Sequence, residues 1–160
     1  MKKAQVTALP ISYIFIAVIA AIILIFGAKV IKDFYSLSEK AQTKKELQNL
    51  QNDIKRVYYL SKDSSQSMTY QFSATISEIC FAGNLEGGKN PNSKQEELIK
   101  GLKDSNIFLF QLSNLIGKEN IDYLKDPEAT SESIQCFSTQ DGRLNIILTN
   151  NGNYVSLIKV

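Results

Sequence analysis

The 160-residue sequence contains no histidine and no tryptophan. The lack of histidine excludes a Ser-His-Asp or Cys-His nucleophile and any zinc site built from cysteine and histidine. The two cysteines, Cys80 and Cys136, lie far apart, so the Cys-x-x-Cys motif of redox and metal-binding proteins is also missing. The sequence therefore lacks the residues for a histidine-activated nucleophile, a cysteine-histidine zinc site and a Cys-x-x-Cys redox motif.

The remaining polar residues do not form a recognisable catalytic pattern either. Glu96 and Glu97 are adjacent and would point in different directions on a helix, and Asp122 stands alone. The Gly-Gly-Lys at residues 87–89 lacks the spacing of a phosphate-binding loop. We expect no enzyme activity, no cofactor and no metal. The net charge of +2 is small and its signs are interleaved, so we expect no nucleic-acid partner.

A second absence is more informative: no charged side chain occurs from residue 4 to residue 28. Residues 11–28 alone span about 27 Å as a helix, close to the roughly 30 Å hydrocarbon core of a bilayer. The run is apolar on every face, and a domain this small could not bury all of it. The sequence predicts a membrane segment at about residues 9–28, with membrane lipid as its partner.

A cleaved secretory signal is the competing interpretation of this run, with Lys2 and Lys3 as its basic region. Its hydrophobic part would be too long, and the best cleavage site, after Ala28, has Phe26 where a small residue is needed. Positive charges before and after the span are nearly balanced, so charge alone does not set the orientation. We expect a single-pass membrane protein with its N-terminus inside and its head outside.

Helical periodicity continues beyond the membrane segment through residues 29–62, without glycine or proline. The sequence predicts one long helix from about residue 9 to about residue 61, with an amphipathic second half. Its last apolar stripe needs a partner, either another subunit in a coiled coil or the chain's own domain. About two clean heptads favour the chain's own domain. The stripe comprises Leu47, Leu50, Ile54 and Val57.

Residues 63–160 read as a small β-rich head. Strands are predicted at residues 70–75 and 107–112, and residues 76–82 form another strand or continue the first. A helix is predicted at residues 94–103, a loop at residues 83–93, and a loop with a helical turn at residues 117–133. Three further runs, at residues 134–139, 143–149 and 154–160, are separated by Asp-Gly and Asn-Gly pairs typical of hairpins, which predicts an antiparallel meander. The fold class is α+β: a long N-terminal transmembrane and amphipathic helix followed by a small antiparallel β-rich head domain.

Cysteines and aromatic residues in the head each allow two interpretations. Cys80 and Cys136 are either buried free thiols or a disulfide, which would fit a head outside the cytoplasm. A bridge closing a loop of nearly sixty residues would stabilise the head by roughly 4 kcal/mol in the chain-entropy model. The aromatic residues either form a binding patch or pack in the core, which we expect of most of them. They are Tyr58, Tyr59, Tyr70 and Phe72.

The beginning of the chain resembles archaeal type IV pilin-like proteins. Lys2-Lys3-Ala4-Gln5, followed by a hydrophobic run, is similar to the class III signal peptide of that family. The resemblance implies cleavage by a prepilin peptidase between Ala4 and Gln5, which makes residues 1–4 a leader. It also implies a long helix that anchors the subunit before assembly and forms the filament core afterwards. One position differs from many members, because Leu9 stands where they carry an acidic residue.

Small residues within the membrane segment would allow helices to approach each other closely. We therefore expect a homo-oligomer formed through the N-terminal helix. The function expected from the resemblance is a pilin-like structural subunit of an extracellular filament. The alternative is a single-pass, membrane-anchored binding or accessory module outside the cytoplasm that does not polymerise. The small residues are Ala17, Ala20, Ala21 and Gly27.

Overall fold

The computed structural model describes residues 8–83, 85–86, 88–102, 104–124 and 133–160. The chain divides into two compact units between Lys40 and Ala41. The helices are α1 (Ala8–Tyr58) and α2 (Ser93–Lys100). The strands are β1 (Ser65–Gln71), β2 (Glu78–Gly83), β3 (Leu85–Glu86), β4 (Ile107–Gln111), β5 (Asn114–Glu119), β6 (Ser133–Ser138), β7 (Arg143–Asn150) and β8 (Val155–Lys159).

Helix α1 confirms the prediction of one long helix. Pro10 lies in its first turn, where a missing backbone N–H costs nothing. Between Gly27 and the end of the helix the sequence contains neither glycine nor proline, and strong helix formers dominate. The helix ends at Tyr58, three residues before the predicted end.

A buried asparagine from β7 terminates α1. The Nδ2 of Asn150 donates hydrogen bonds to the carbonyl oxygens of Tyr58, at 2.9 Å, and of Leu60, at 2.8 Å. Its Oδ1 accepts one from the backbone N–H of Gly152 at 2.7 Å. The last carbonyl groups of a helix have no partner within it, so Asn150 supplies a partner from the sheet. One side chain thus fixes both the helix end and the turn after β7.

The strands of the head form two sheets. In the first, with strand order β1-β7-β8-β3, the β1–β7 and β7–β8 pairs are antiparallel and the short β3 pairs with β8 in parallel. In the second, with order β5-β4-β2-β6, every pair is antiparallel. The α+β class with an antiparallel β-rich head is therefore confirmed.

The second half of α1 supplies the centre of the head. Its predicted stripe, Leu47, Leu50, Ile54 and Val57, is buried in one core with residues from both sheets, which confirms packing on the chain's own domain. Alternate residues of β4 face opposite ways: Leu109 joins this main core, whereas Phe110 joins a smaller one. The smaller core also contains Ile99 of α2 and both cysteines. The second sheet is consequently covered on both faces.

The predicted three-strand meander is wrong. Strands β6 and β7 belong to different sheets, although the Asp141-Gly142 turn between them is tight. Both turn residues have positive φ, 51° and 76°. A side chain on Gly142 would place its Cβ 2.4 Å from the carbonyl oxygen of Phe72. The turn packs against backbone there and redirects the chain into the other sheet, which a hairpin motif alone does not reveal.

Other boundaries also differ from the predictions. Strand β1 begins at Ser65 and ends at Gln71, because pairing with β7 recruits a polar serine-rich run and leaves residues 72–75 outside the strand. Strands β3 and β5 were predicted as loop or not recognised. Strand β5 follows a turn at Leu112 and Ser113, which have φ of 47° and 72°. That conformation is usually supplied by Asn-Gly, so the turn had no sequence signature.

Replacing Asn150 by alanine should lower the free energy of unfolding of the head by about 2 kcal/mol. The carbonyl groups at the end of α1 would lose their partners in a buried position. Urea titration of the full chain in detergent micelles, followed by tyrosine fluorescence, measures this change. The exposed Asn153→Ala serves as the matched control, with an expected change of less than about 0.5 kcal/mol. Equal stability of the two variants would contradict the role assigned to Asn150.

Candidate functional site: the exposed apolar helix

The first half of α1 carries a large apolar surface that the described part of the chain leaves uncovered. From Tyr13 to Phe26, the isoleucine, leucine, valine and aromatic side chains are all exposed. Within the helix Ser12–Tyr58, the most apolar stretch is long and apolar enough to cross a membrane, and none of it is buried. Water does not stabilise such a surface, so this half of the helix requires an apolar environment.

Small residues on this half of α1 are open to contact. Ala17, Ala20 and Ala21 are exposed, and Gly27 is partly exposed. A Cβ atom added at Gly27 would meet no other atom within 4 Å. The described chain therefore does not use these residues for its own packing. Their contact with a neighbouring helix stays a prediction.

Apolar exposure continues beyond the end of the predicted membrane segment, past the charged Lys29. Between residues 30 and 37, five large side chains are each 58–69% exposed. The charged residues of this stretch are interleaved among them, at positions that a helix places on another face. The segment is thus amphipathic and carries an uncovered apolar face. The exposed side chains are Val30, Ile31, Phe34, Tyr35 and Leu37.

The predicted cleavage site, Ala4 and Gln5, lies outside the described residues. Leu9, the position that differs from many pilin-like proteins, belongs to the first turn of α1. Cleavage of the leader therefore stays a prediction.

The two cysteines form a disulfide, which decides between the two interpretations left open by the sequence. Cys80 of β2 and Cys136 of β6 are directly opposite each other, and their Cα atoms are 3.9 Å apart. The backbone N–H and C=O of Cys136 bond to Lys89 on its other side, at 2.7 and 2.9 Å. The cysteines therefore occupy a non-hydrogen-bonded pair, the arrangement that brings opposite side chains closest.

This bridge closes a loop of 56 residues that includes α2, β4 and β5. Both cysteines are buried beneath α2, beside Phe108 and Phe110. The N-terminus of α2 is fixed by Asn92, whose side chain accepts a hydrogen bond from the Gln95 backbone while Gln95 bonds back. The Nε2 of Gln95 also donates to Glu78 of β2 at 2.7 Å. Disulfide and helix together hold the outer face of the second sheet.

Two of the four aromatic residues singled out in the sequence belong to the core. Tyr70 and Phe72 are buried, as expected. The Tyr70 hydroxyl donates a hydrogen bond to Asp53 of α1 at 2.9 Å. Burial, and then the negative charge of Asp53, raise the pKa of Tyr70 far above its ordinary value. Asp53 also pairs with Arg56 at 2.9 Å, so this polar group joins α1 to β1.

The other two aromatic residues form a cluster with Tyr123, which the sequence did not indicate. Tyr58 and Tyr123 are partly buried against the main core, whereas Tyr59 is exposed. Tyr58 stacks on Tyr123 with ring centroids 4.1 Å apart, and the exposed Tyr59 places its hydroxyl 3.4 Å from that of Tyr123. This hydroxyl contact raises the pKa of Tyr123. Tyr123 has a positive φ of 68°, and its carbonyl accepts a hydrogen bond from Val155 at 2.7 Å. The cluster thus fixes the loop beside the end of α1.

The acidic residues considered in the sequence are dispersed over the surface of the head. Glu96 pairs with Lys100 at 2.6 Å on α2, and Glu97 and Asp122 are exposed. Among the described residues, no group of three or more histidine, cysteine or acidic side chains is arranged to hold a metal ion. Two surface pockets have volumes of about 130 and 120 Å³, below the roughly 300 Å³ of small-molecule sites.

Comparison with protein-family models, curated protein sequences and solved structures finds no match to this chain. The two main features of the described chain are the uncovered apolar half of α1 and the disulfide-linked head.

Replacing both cysteines, as Cys80→Ala together with Cys136→Ala, should lower the free energy of unfolding of the head by about 4 kcal/mol. The unfolded chain would no longer be constrained by a closed loop of 56 residues. Urea titration of the full chain, with and without the bridge, gives the difference.

A separate thiol assay checks the pairing itself. Alkylation of the denatured protein should label neither cysteine before reduction and both afterwards. Labelling of Cys80 and Cys136 without reduction would contradict the disulfide.

Proposed function

We propose that this chain is a pilin-like structural subunit that anchors in a membrane and assembles into an extracellular filament through its N-terminal helix. The observation that carries the proposal is the uncovered apolar half of α1. Because α1 is continuous to Tyr58, the same helix that carries this surface also forms the centre of the folded head. A subunit with this design couples a folded head to an apolar assembly element.

Two environments can cover the apolar half in turn. Before assembly, membrane lipid surrounds it, since its length matches a bilayer. After assembly, copies of the same helix replace the lipid and keep the apolar surface away from water, where its exposure would cost about 25 cal/mol per Å². The small side chains Ala17, Ala20 and Ala21, together with Gly27, permit close contact between helices.

The disulfide supports a head outside the cytoplasm. Structural disulfides form and persist in oxidising compartments and are rare in reducing ones. Cys80 and Cys136 are both in the head and paired. We therefore place the N-terminus inside and the head outside, where it presents its surface and carries out no catalysis.

A second candidate function is a membrane-anchored accessory module that does not polymerise. Leu9 favours it, because many pilin-like proteins carry an acidic residue at the corresponding position, which pairs with the N-terminal amine of a neighbouring subunit. Without that carboxylate, this polar contact between subunits is missing here.

Mass spectrometry of the mature N-terminus tests the proposal. We expect the chain isolated from its native cells to begin at Gln5, because the peptidase cuts after the small Ala4. Filaments sheared from the same cells should contain this chain. If only chains that begin at Met1 are detected, the pilin-like function is contradicted, and the membrane-anchored accessory module becomes the favoured function.

Variants of the leader sharpen the test. Ala4→Phe places a bulky side chain at the cut and should retain Met1, with loss of filaments. Thr7→Ala lies just after the site, keeps residues 2–5 intact, and serves as the control that should still be processed. Filament formation by Ala4→Phe with Met1 retained would also contradict the proposal.

A further inference from the structure

We infer that the part of α1 just beyond the membrane segment, residues 30–38, is itself an interface, and that it packs in parallel against at least two further copies of this chain. This inference deepens the self-association in the proposed function, but it requires neither leader cleavage nor filament formation. It assigns a docking role to a stretch outside the small residues expected to pack within lipid.

The uncovered face of this segment is unusually apolar for a helix beyond a membrane span. Its five large side chains are 58–69% exposed. At roughly 100 Å² or more each, they expose on the order of 500 Å², which approaches the largest apolar patch of a typical soluble monomer. Two such faces together reach about 1,000 Å², the lower bound for a specific protein interface. The area therefore suits a helix-to-helix contact.

The spacing of the face indicates a helical partner. Steps of four and three lead from within the membrane segment to residue 38 without meeting a charge. This is the heptad spacing of packed parallel helices. Because the seam begins among residues expected in lipid, copies anchored in the same membrane share direction and height, so their seams are in register. The central positions are Ala20, Leu24, Gly27, Ile31, Phe34 and Ser38.

The distribution of charge selects copies of this chain as the occupant. In the heptad, every charged residue from 29 to 40 falls at one of the three positions farthest from the seam. No like charges oppose each other when identical helices meet, and no charge is available on the face to attract a partner of opposite sign. The charged residues are Lys29, Lys32, Asp33, Glu39 and Lys40.

The width of the face indicates more than one neighbour. Positions beside the seam usually carry charges in two-stranded coiled coils. Here they are Val30 and Leu37 on one side and Tyr35 on the other, all exposed and apolar or aromatic. The two seam positions and the two positions that flank them thus carry few polar residues and no charge. A two-stranded coiled coil buries only the two seam positions. A bundle of three or more helices covers both flanks.

Two serines provide a matched test. Ser38 lies at the centre of the seam and Ser36 on the opposite face, and both are exposed. The full chain carrying Ser38→Cys or Ser36→Cys is reconstituted in phospholipid vesicles at low protein density and oxidised with copper phenanthroline. Cys80 and Cys136 are already paired and do not take part. We expect the cross-linked fraction of Ser38→Cys to exceed that of Ser36→Cys at least fivefold.

Equal cross-linking of the two variants, or none, would overturn the interface. Absence of cross-links would also be the outcome if the face lay in the lipid headgroups. The number of neighbours is tested by combining Val30→Cys with Tyr35→Cys, because these flanks of adjacent parallel helices face each other. Oxidation should give a ladder that reaches trimers or larger species. A ladder that stops at dimers would contradict the bundle.

These results separate the inference from the proposed function. Cross-linking of Ser38→Cys in a chain that keeps Met1 and forms no filaments would uphold the interface and reject the pilin-like role. Filaments whose subunits begin at Gln5, without preferential cross-linking of Ser38→Cys, would uphold the pilin-like role and reject the interface at residues 30–38.

Discussion

The first half of α1 exposes an apolar surface that the rest of the described chain does not bury. Exposure of large apolar side chains to water is unfavourable in free energy, and Phe15, Phe26 and Phe34 are all exposed. The described head has its own buried core, to which only the second half of α1 contributes. The first half must therefore be covered by lipid or by other chains. The proposals of membrane anchoring and of self-association both start from this requirement.

The head meets a different constraint, because a domain of about 100 residues has little interior. One helix contributes to the core between the two sheets, because Leu50, Ile54 and Val57 are buried in one cluster with residues from both. The disulfide then closes the loop containing α2 and fixes the outer face of the second sheet. Asn150 secures the end of the shared helix to β7. A small domain is thereby held by one helix, one covalent bridge and a few buried polar contacts.

The buried polar contacts of the described head connect its own elements. The buried polar groups described above, Asn150, Gln95 and Tyr70, form hydrogen bonds that join elements of the head to each other. Among the acidic residues considered as candidates, Glu96 pairs with Lys100, and Glu97 and Asp122 are exposed. In the proposed assembly through α1, the head would serve as a stable body held together by these contacts.

Local patterns predicted the helices, the disulfide as one of two alternatives, and the hairpin between β7 and β8. They succeed there because periodicity, charge-free length and Asn-Gly turns reflect short-range physics. Local patterns fail where contact with a residue or strand distant in the sequence determines the structure. Strand β1 extends into serines because β7 lies beside it, and Gly142 turns the chain towards another sheet because it packs on Phe72.

The same limit applies to the site. The apolar half of α1 and its small residues could be read directly from the sequence, since their character does not depend on folding. Tyr123 could not, because it meets Tyr59 across 64 residues and takes a conformation that tyrosine rarely adopts. Asn150 likewise carries no local pattern that marks it as the residue ending α1.

The most direct test of the account is the number of copies that associate through α1. Native mass spectrometry of the full chain, released from lipid nanodiscs, measures this number without any substitution. The account predicts assemblies of three or more copies that dissociate when Ile31 and Phe34 are replaced by glutamine. A chain that remains monomeric in nanodiscs, or an assembly unaffected by those replacements, would contradict it.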